Sequence, residues 1–307
     1  MPKICYTAQA FSDSSYDIIA KANVIIAEYL RQGFRLTLRQ LYYQFVARGL
    51  LPNKINEYKR LGSIISNARL AGWIDWEAIE DRTRNLRGLA TWESPGDIIE
   101  DAANQYKNDL WANQENRIEV WIEKEALSGV FERVCNQERV PFFCCRGYTS
   151  QSEMWSAAVR LQRHADGGQA PIILHFGDHD PSGIDMTRDI KDRLAIFGCD
   201  LQLDRLALNM DQVNKYNPPP NPAKETDSRF QAYIQRFGSE SWELDALEPQ
   251  LLANLVSQAV ADCRDQTRWE DDLAKEERER SDLKLVSARW PAISRYVNRH
   301  TKSAGGQ

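Results

Sequence analysis

Apolar residues recur at helical spacing from Asp17 to Arg31, where Ile18, Ile19, Ala22, Ile25, Ile26 and Tyr29 share one face and Gly33 closes the segment. A second amphipathic helix follows. Thr37-Leu38-Arg39-Gln40 has the form of a capping box, Leu38, Leu41, Tyr42, Phe45 and Val46 step at helical intervals, and Gly49 is a natural stop. A third helix is predicted from near Glu57 to Ala71. Beyond Gly72, Trp73, Ile74, Trp76 and Ile79 alternate with charges and read as short strands or a wing. Three helices and a wing predict a winged-helix unit over residues 1–90, a common way to present a helix to the DNA major groove.

A polar, helical connector is predicted over residues 91–116, and then the pattern changes. Ile118–Ile122, Val140–Cys145 and Pro171–Phe176 are short apolar runs. Ala126–Asn136, Ser152–Gln162 and Asp185–Phe197 between and after them have helical periodicity. Strand alternating with helix predicts a parallel sheet with right-handed crossovers, placed at residues 117–250. Residues 251–307 read as a C-terminal helical extension. Nine acids and six bases lie between Asp262 and Lys284, a solvated helix face or a helix-pairing dimer element. The fold class expected is therefore α/β: a mostly α N-terminal domain, a Rossmann-like domain with a parallel sheet, and C-terminal helices.

The chain has 307 residues, enough for roughly two domains of about 150 residues each. No apolar run approaches the roughly 20 residues that span a bilayer, and no apolar stretch near the N-terminus resembles a secretory signal. Six cysteines lie without C-x-x-C spacing, which fits a reducing compartment and predicts a cytoplasmic protein without zinc. The net charge of -5 argues against global attraction to nucleic acid. Residues 31–90 nevertheless carry eleven bases against five acids, so a basic segment is joined to an acidic remainder.

That remainder holds the candidate chemistry. In sheets of this kind ligands sit beyond the carboxyl ends of strands. Glu123 follows the first strand, and Gly177-Asp178-His179-Asp180-Pro181-Ser182-Gly183 follows the third. Asp178 and Asp180, two apart, leave an extended backbone on the same side, with His179 opposite as a packing residue. Three converging carboxylates suit Mg2+, a hard cation that takes oxygen ligands. Pro181 fits a first helical position, and Gly183 allows close approach of backbone to a ligand. The alternative is a polar turn with helix-capping acids. Glu125 reads as a helix-start acid.

Helical geometry also separates two adjacent tyrosines. Tyr42 falls on the apolar arc of the second helix, while Tyr43 lies toward its polar flank with Arg39 one turn earlier. A phenol of pKa near 10 needs a cation to act as a nucleophile, and Arg39 can supply one.

Val120-Trp121-Ile122-Glu123-Lys124-Glu125-Ala126, Gly147-Tyr148 and Gly177-Asp178-His179-Asp180-Pro181-Ser182-Gly183-Ile184 together resemble the Toprim domain of the topoisomerase VI A subunit and the related meiotic double-strand-break transesterases. Arg39-Gln40-Leu41-Tyr42-Tyr43 resembles that family's R-x-x-[YF]-Y nucleophile segment, carried on a catabolite-activator-like winged helix. The resemblance spans about residues 36–194 and extends more weakly to Trp242-Glu243-Leu244-Asp245-Ala246-Leu247, in a short, mini-A-like form. It implies that Tyr43 attacks double-stranded DNA to give a 5′-phosphotyrosyl link beside Mg2+ held by Glu123, Asp178 and Asp180. It also implies a homodimer whose tyrosine and metal come from different subunits. No ATP-binding motif occurs here, so strand passage would need a separate GHKL-type ATPase B subunit.

Lys59, Arg60, Arg69, Lys124 and Arg146 are the candidate DNA contacts, with Lys124 able to reach either phosphate or only solvent. The sequence departs from the family at Gly147-Tyr148-Thr149-Ser150-Gln151, where a Pro-Asp and a following arginine are missing and Arg146 is the candidate substitute. Two competing readings accompany tyrosine chemistry: a Toprim nuclease that hydrolyses DNA with metal-activated water, and a catalytically silent DNA-binding protein.

Overall fold

A computed structural model describes residues 3–80 and 89–304. Arg82, Arg84 and Arg87, three of the eleven bases counted in the N-terminal segment, lie outside the described residues. The chain divides into two compact units, one of Met1–Arg84 with Asn116–Asp262, the other of Asn85–Glu115 with Cys263–Gln307.

The first unit opens with α1 (Asp13–Arg31), α2 (Leu38–Ala47) and α3 (Ile55–Leu70), which pack on one another. The α1 helix starts four residues before the apolar periodicity, because Ser12 accepts a bond from the Ser15 N–H and so caps it. The capping box of α2 forms as its sequence predicts: the Thr37 hydroxyl accepts from Gln40 N–H and the Gln40 side chain accepts from Thr37 N–H. Gly49 ends that helix at φ +65°, a conformation in which a side chain is strained. After α3 the described residues form turns rather than strands. Among the described residues the expected wing is reduced to one parallel bridge, Leu36 with Ile79, and Ile74 and Ala78 are buried singly rather than in a strand's alternation.

After α4 (Pro95–Gln105), which belongs to the second unit, comes an alternating series: β1 (Asn116–Ile122), α5 (Ser128–Gln137), β2 (Phe142–Cys144), α6 (Gln151–Asp166), β3 (Ala170–Phe176), α7 (Pro181–Ile196) and β4 (Gln202–Ala207). The four strands form a parallel sheet in the order β2-β1-β3-β4. One face packs Trp121 and Ile173 against Met154, Leu161, Met186 and Ile190 of α6 and α7. Both central strands are buried along most of their length, as a sheet covered on two sides requires. The sheet's outer strand β4 was not foreseen, since Gln202, Asp204 and Arg205 break its apolar pattern.

Two short helices, α8 (Met210–Tyr216) and α9 (Phe230–Phe237), and a two-residue ladder of β5 (Asn221–Pro222) with β6 (Glu240–Ser241) lead to a tight turn at Leu244–Ala246. This turn packs against α2, and α10 (Pro249–Asp262) packs against α5. The second unit consists of α4 with α11 (Gln266–Ala288) and α12 (Trp290–Ala304). Residues 91–116, expected as a connector, thus contribute a helix to a unit shared with the C-terminus. There Glu276 is buried and accepts the Asn108 N–H, so the charged C-terminal helix is not solvated all round. No described helix is long and apolar enough to cross a membrane.

Candidate active site

The loop after β3 is built around close backbone approaches. Asp180 caps α7, its Oδ1 accepting from the Gly183 N–H at 2.6 Å and the Ser182 hydroxyl at 2.9 Å. A Cβ on Gly183 would lie 2.3 Å from the Asp178 carbonyl oxygen, so the glycine expected to admit a ligand instead admits the protein's own backbone. Glu123 follows β1 and accepts the Asp178 N–H on Oε2 at 2.8 Å, which ties the two strand ends together. Arg205, projecting from β4, donates to the carbonyls of Gly177, Asp178, Gly183 and Leu208. Burial lowers the Arg205 pKa to about 10, so its charge is retained at neutral pH. His179 points away from the two aspartates, as alternation predicts, and its Nδ1 meets the Tyr233 hydroxyl at 2.8 Å.

Asp178 has both carboxylate oxygens engaged. Oδ1 accepts the Leu244 N–H at 2.8 Å, and Oδ2 lies 2.8 Å from the Lys124 ammonium. Lys124 also reaches Glu243 at 2.6 Å and Asp245 at 3.3 Å. Three carboxylates therefore face one ammonium in a buried setting. Burial opposes the charge of Lys124, but Asp245, Asp178 and Glu243 outweigh it and hold the pKa above the ordinary lysine value. Burial likewise pushes Asp178 up to about 8, against the pull of Lys124, and raises Asp245. Burial would also raise Glu243, yet Lys124 and Arg39 hold it at about 2. Lys124, expected to reach phosphate or solvent, is instead the centre of this network.

The tyrosine helix enters the same network. Arg39 Nε donates to Asp245 at 2.7 Å, and its Nη2 pairs with Glu243. Its guanidinium stands 5.7 Å from the Tyr43 ring centroid, the neighbourhood that i−4 spacing predicts. Tyr43 is not displayed on a polar flank, however. It is 5% exposed, about as buried as Tyr42, because the turn at Leu244–Ala246 covers α2. Tyr42 is the structural member of the pair, its hydroxyl accepting the Lys54 N–H at 2.8 Å and donating to the Lys54 carbonyl at 3.0 Å. The Tyr43 hydroxyl has no hydrogen-bond partner among the described residues, and the residue lines a cleft of about 360 Å³. Burial, with Asp245 and Glu243, raises its pKa, while Arg39 and Lys124 act in the opposite sense. A second cleft of about 350 Å³ is bordered by both Arg39 and Glu123, so one chain brings the tyrosine helix and the strand-end carboxylate to a common opening.

As a cation site the carboxylates fit in part. Glu123 Oε1 and Asp180 Oδ2 have no protein hydrogen bond among the described residues, and burial raises Glu123 with Asp180 adding to the effect, a penalty that a cation would relieve. Asp178 is committed to Lys124 and Leu244. Among the described residues no group of three or more His, Cys, Asp or Glu side chains is arranged to hold a metal ion.

The candidate DNA contacts divide. Lys59 is exposed on α3, whereas Arg60 on the same helix pairs with Glu57 at 3.0 Å. Arg69 is turned inward, lying 4.7 Å from the Trp76 ring centroid and donating to its carbonyl, and burial lowers its pKa. Arg146 is exposed and pairs with Glu125 at the rim of the second cleft. Sequence reasoning missed Arg205, Glu243 and Asp245 as site residues; the last two lie in Trp242–Leu247, where resemblance was weak. Their signal was two acids spaced to share a side of extended chain, the same device as Asp178 and Asp180. No family model matches the chain, and the comparisons with curated proteins and with solved structures likewise gave no match.

Proposed function

We propose that this chain cleaves DNA by transesterification, with its three-helix segment acting as the winged-helix domain and its parallel sheet as a Toprim domain. The Tyr43 oxygen bonds to a backbone phosphorus, the bond to the 3′-oxygen breaks, and the products are a 5′-phosphotyrosyl link and a 3′-hydroxyl. The phenol gives up its proton and the leaving oxygen gains one, so charge balances. The observation that supports this reading most is the double ion pair of Arg39 with Asp245 and Glu243, which sets the tyrosine helix beside the Lys124–Asp178 pair within one chain.

Arg39 Nη1 has no partner among the described residues and can take a phosphate oxygen while Nε and Nη2 hold the helix in place. Lys124 keeps Asp178 fixed, and Asp178 in turn anchors Leu244 over α2. Mg2+ bound through the remaining oxygens of Glu123 and Asp180 would offset phosphate charge. Of the candidate contacts, Lys59, Arg60 and Arg146 are exposed and would meet the DNA backbone. The resemblance implies a homodimer whose tyrosine and metal come from different subunits. The cleft that Arg39 and Glu123 share within one chain favours instead a homodimer with two sites on opposite strands, each with tyrosine and carboxylates from the same chain, and strand passage would require a separate ATPase. The raised pKa of Tyr43 favours a second reading, in which metal-activated water cuts and Tyr43 only contacts DNA.

Incubation with supercoiled DNA and Mg2+ followed by denaturation distinguishes these outcomes. Protein attached to 5′ ends supports transesterification, free ends support hydrolysis, and absence of cleavage across several divalent metals overturns both.

A further inference from the structure

The cleft beside Tyr43 has features that cleavage chemistry does not use. Its volume of about 360 Å³ falls within the range of about 300–1,000 Å³ typical of small-ligand pockets. Three tyrosines line it. Tyr42 meets Tyr43 and Tyr58 edge to face, with centroids 5.6 and 5.4 Å apart, so no ring is stacked flat upon another. Two amides also line it: Asn53 Nδ2 donates to Asn221 Oδ1 at 2.6 Å, which leaves the Asn221 NH2 group without a partner among the described residues. Lys54 lines the same cleft; its ammonium forms no ion pair among the described residues.

Tyr42 and Tyr43 are buried, but a partly exposed tyrosine ring at Tyr58, an unspent amide donor and a free cation form a set suited to a planar, hydrogen-bonding ring attached to a phosphate. We propose that this cleft holds a single unpaired nucleobase of a DNA strand, stacked on the partly exposed Tyr58 ring beside Ile55, with an adjoining phosphate against Lys54. Tyr58 supplies stacking that tolerates any base, the Asn221 amide donates to a ring carbonyl or ring nitrogen, and Lys54 neutralises backbone charge. A protein ligand presenting one aromatic side chain would fill the rings but would not use Lys54 with the amide. The inference rests on the cleavage reading only for its substrate class, and it concerns a base rather than the scissile phosphate.

The test uses the full chain and a short single-stranded oligonucleotide bearing 2-aminopurine, without divalent metal so that no cleavage intervenes. Stacking on tyrosine should quench the fluorescence of the bound probe. Tyr58→Leu should weaken binding about tenfold, the loss expected when one stacking partner is removed. Ile55 is 71% exposed at the cleft, so Ile55→Glu spares the core. It should nevertheless weaken binding several-fold, guarding against a folding defect in the tyrosine variant. Absence of binding, binding seen by anisotropy without quenching, or quenching unchanged in both variants would overturn the inference. Each result is independent of whether a covalent adduct forms: an adduct with no base-dependent quenching removes the pocket alone, and quenching with no adduct removes the cleavage reading alone.

Discussion

Replacing Lys124 with methionine keeps most of its volume and removes its charge. The side chain is 18% exposed, and its partners Asp178 and Asp245 are 8% and 0% exposed, so little water is at hand to compensate. Arg39 would still pair with Asp245 and Glu243, but Asp178 would retain only the Leu244 N–H. Breaking a buried pair by removing one partner costs about 3–5 kcal/mol, and the surviving Arg39 contacts point to the lower end. At about 3 kcal/mol the first unit should unfold roughly 6–12 °C below the native protein, measured by calorimetry at pH 8. The deficit also has a pH signature. A carboxyl whose pKa is higher in the folded than the unfolded state favours folding at low pH and loses that contribution as pH rises from about 4 through its folded value. Asp178 already stands at about 8, and losing Lys124 drives it higher, so the variant's deficit should shrink toward pH 5. Mg2+ should raise the melting temperature of the variant more than that of the native chain, because it can take the vacated place beside Asp178. A melting temperature within 2 °C of native at pH 8 would refute the view that Lys124 holds this network together.

Other perturbations probe separate elements. Gly183→Ala places a methyl 2.3 Å from the Asp178 carbonyl oxygen. The loop must shift, with about 1–3 kcal/mol of stability and at least tenfold of any Mg2+-dependent cleavage expected to go, checked by melting and by nicking assays. Tyr42→Phe leaves the Lys54 N–H without its acceptor and should cost about 1–3 kcal/mol in thermal unfolding while preserving any covalent adduct. His175 is fully buried, and burial lowers its pKa from 6.5 to about 3. A histidine held neutral by the fold contributes fully above pH 6.5 and progressively less as pH falls. About 2 kcal/mol should be lost between pH 7.5 and pH 5, and His175→Gln should flatten that slope in denaturant titrations.

The parts of the fold legible in the sequence were those whose local signals agree with their tertiary setting. The α2 helix has an apolar stripe, a capping box and a terminal glycine, and all three form. The β1 and β3 strands are apolar runs because both faces of the sheet are covered. The β4 strand was hidden because Arg205 occupies an inward position that only makes sense once the carbonyls of the Asp178 loop surround it. Tyr43 was misplaced toward solvent for a related reason. The α2 periodicity defines the face turned to α1 and α3, but a second surface comes from Leu244–Ala246, about 200 residues later, and no local pattern encodes it. The strand-end carboxylates were legible from strand positions alone, whereas the role of Lys124 depends on three acids from two distant segments.

The central claim is that Tyr43 becomes bonded to DNA. Cleavage of supercoiled DNA in Mg2+, denaturation, digestion with nuclease and protease, and mass spectrometry of the nucleotide-bearing peptide test it directly. The account predicts a phosphodiester mass on the peptide containing Tyr43, absent from Tyr43→Phe. Cleaved DNA with free 5′-phosphates, or an adduct on any other residue, would contradict it.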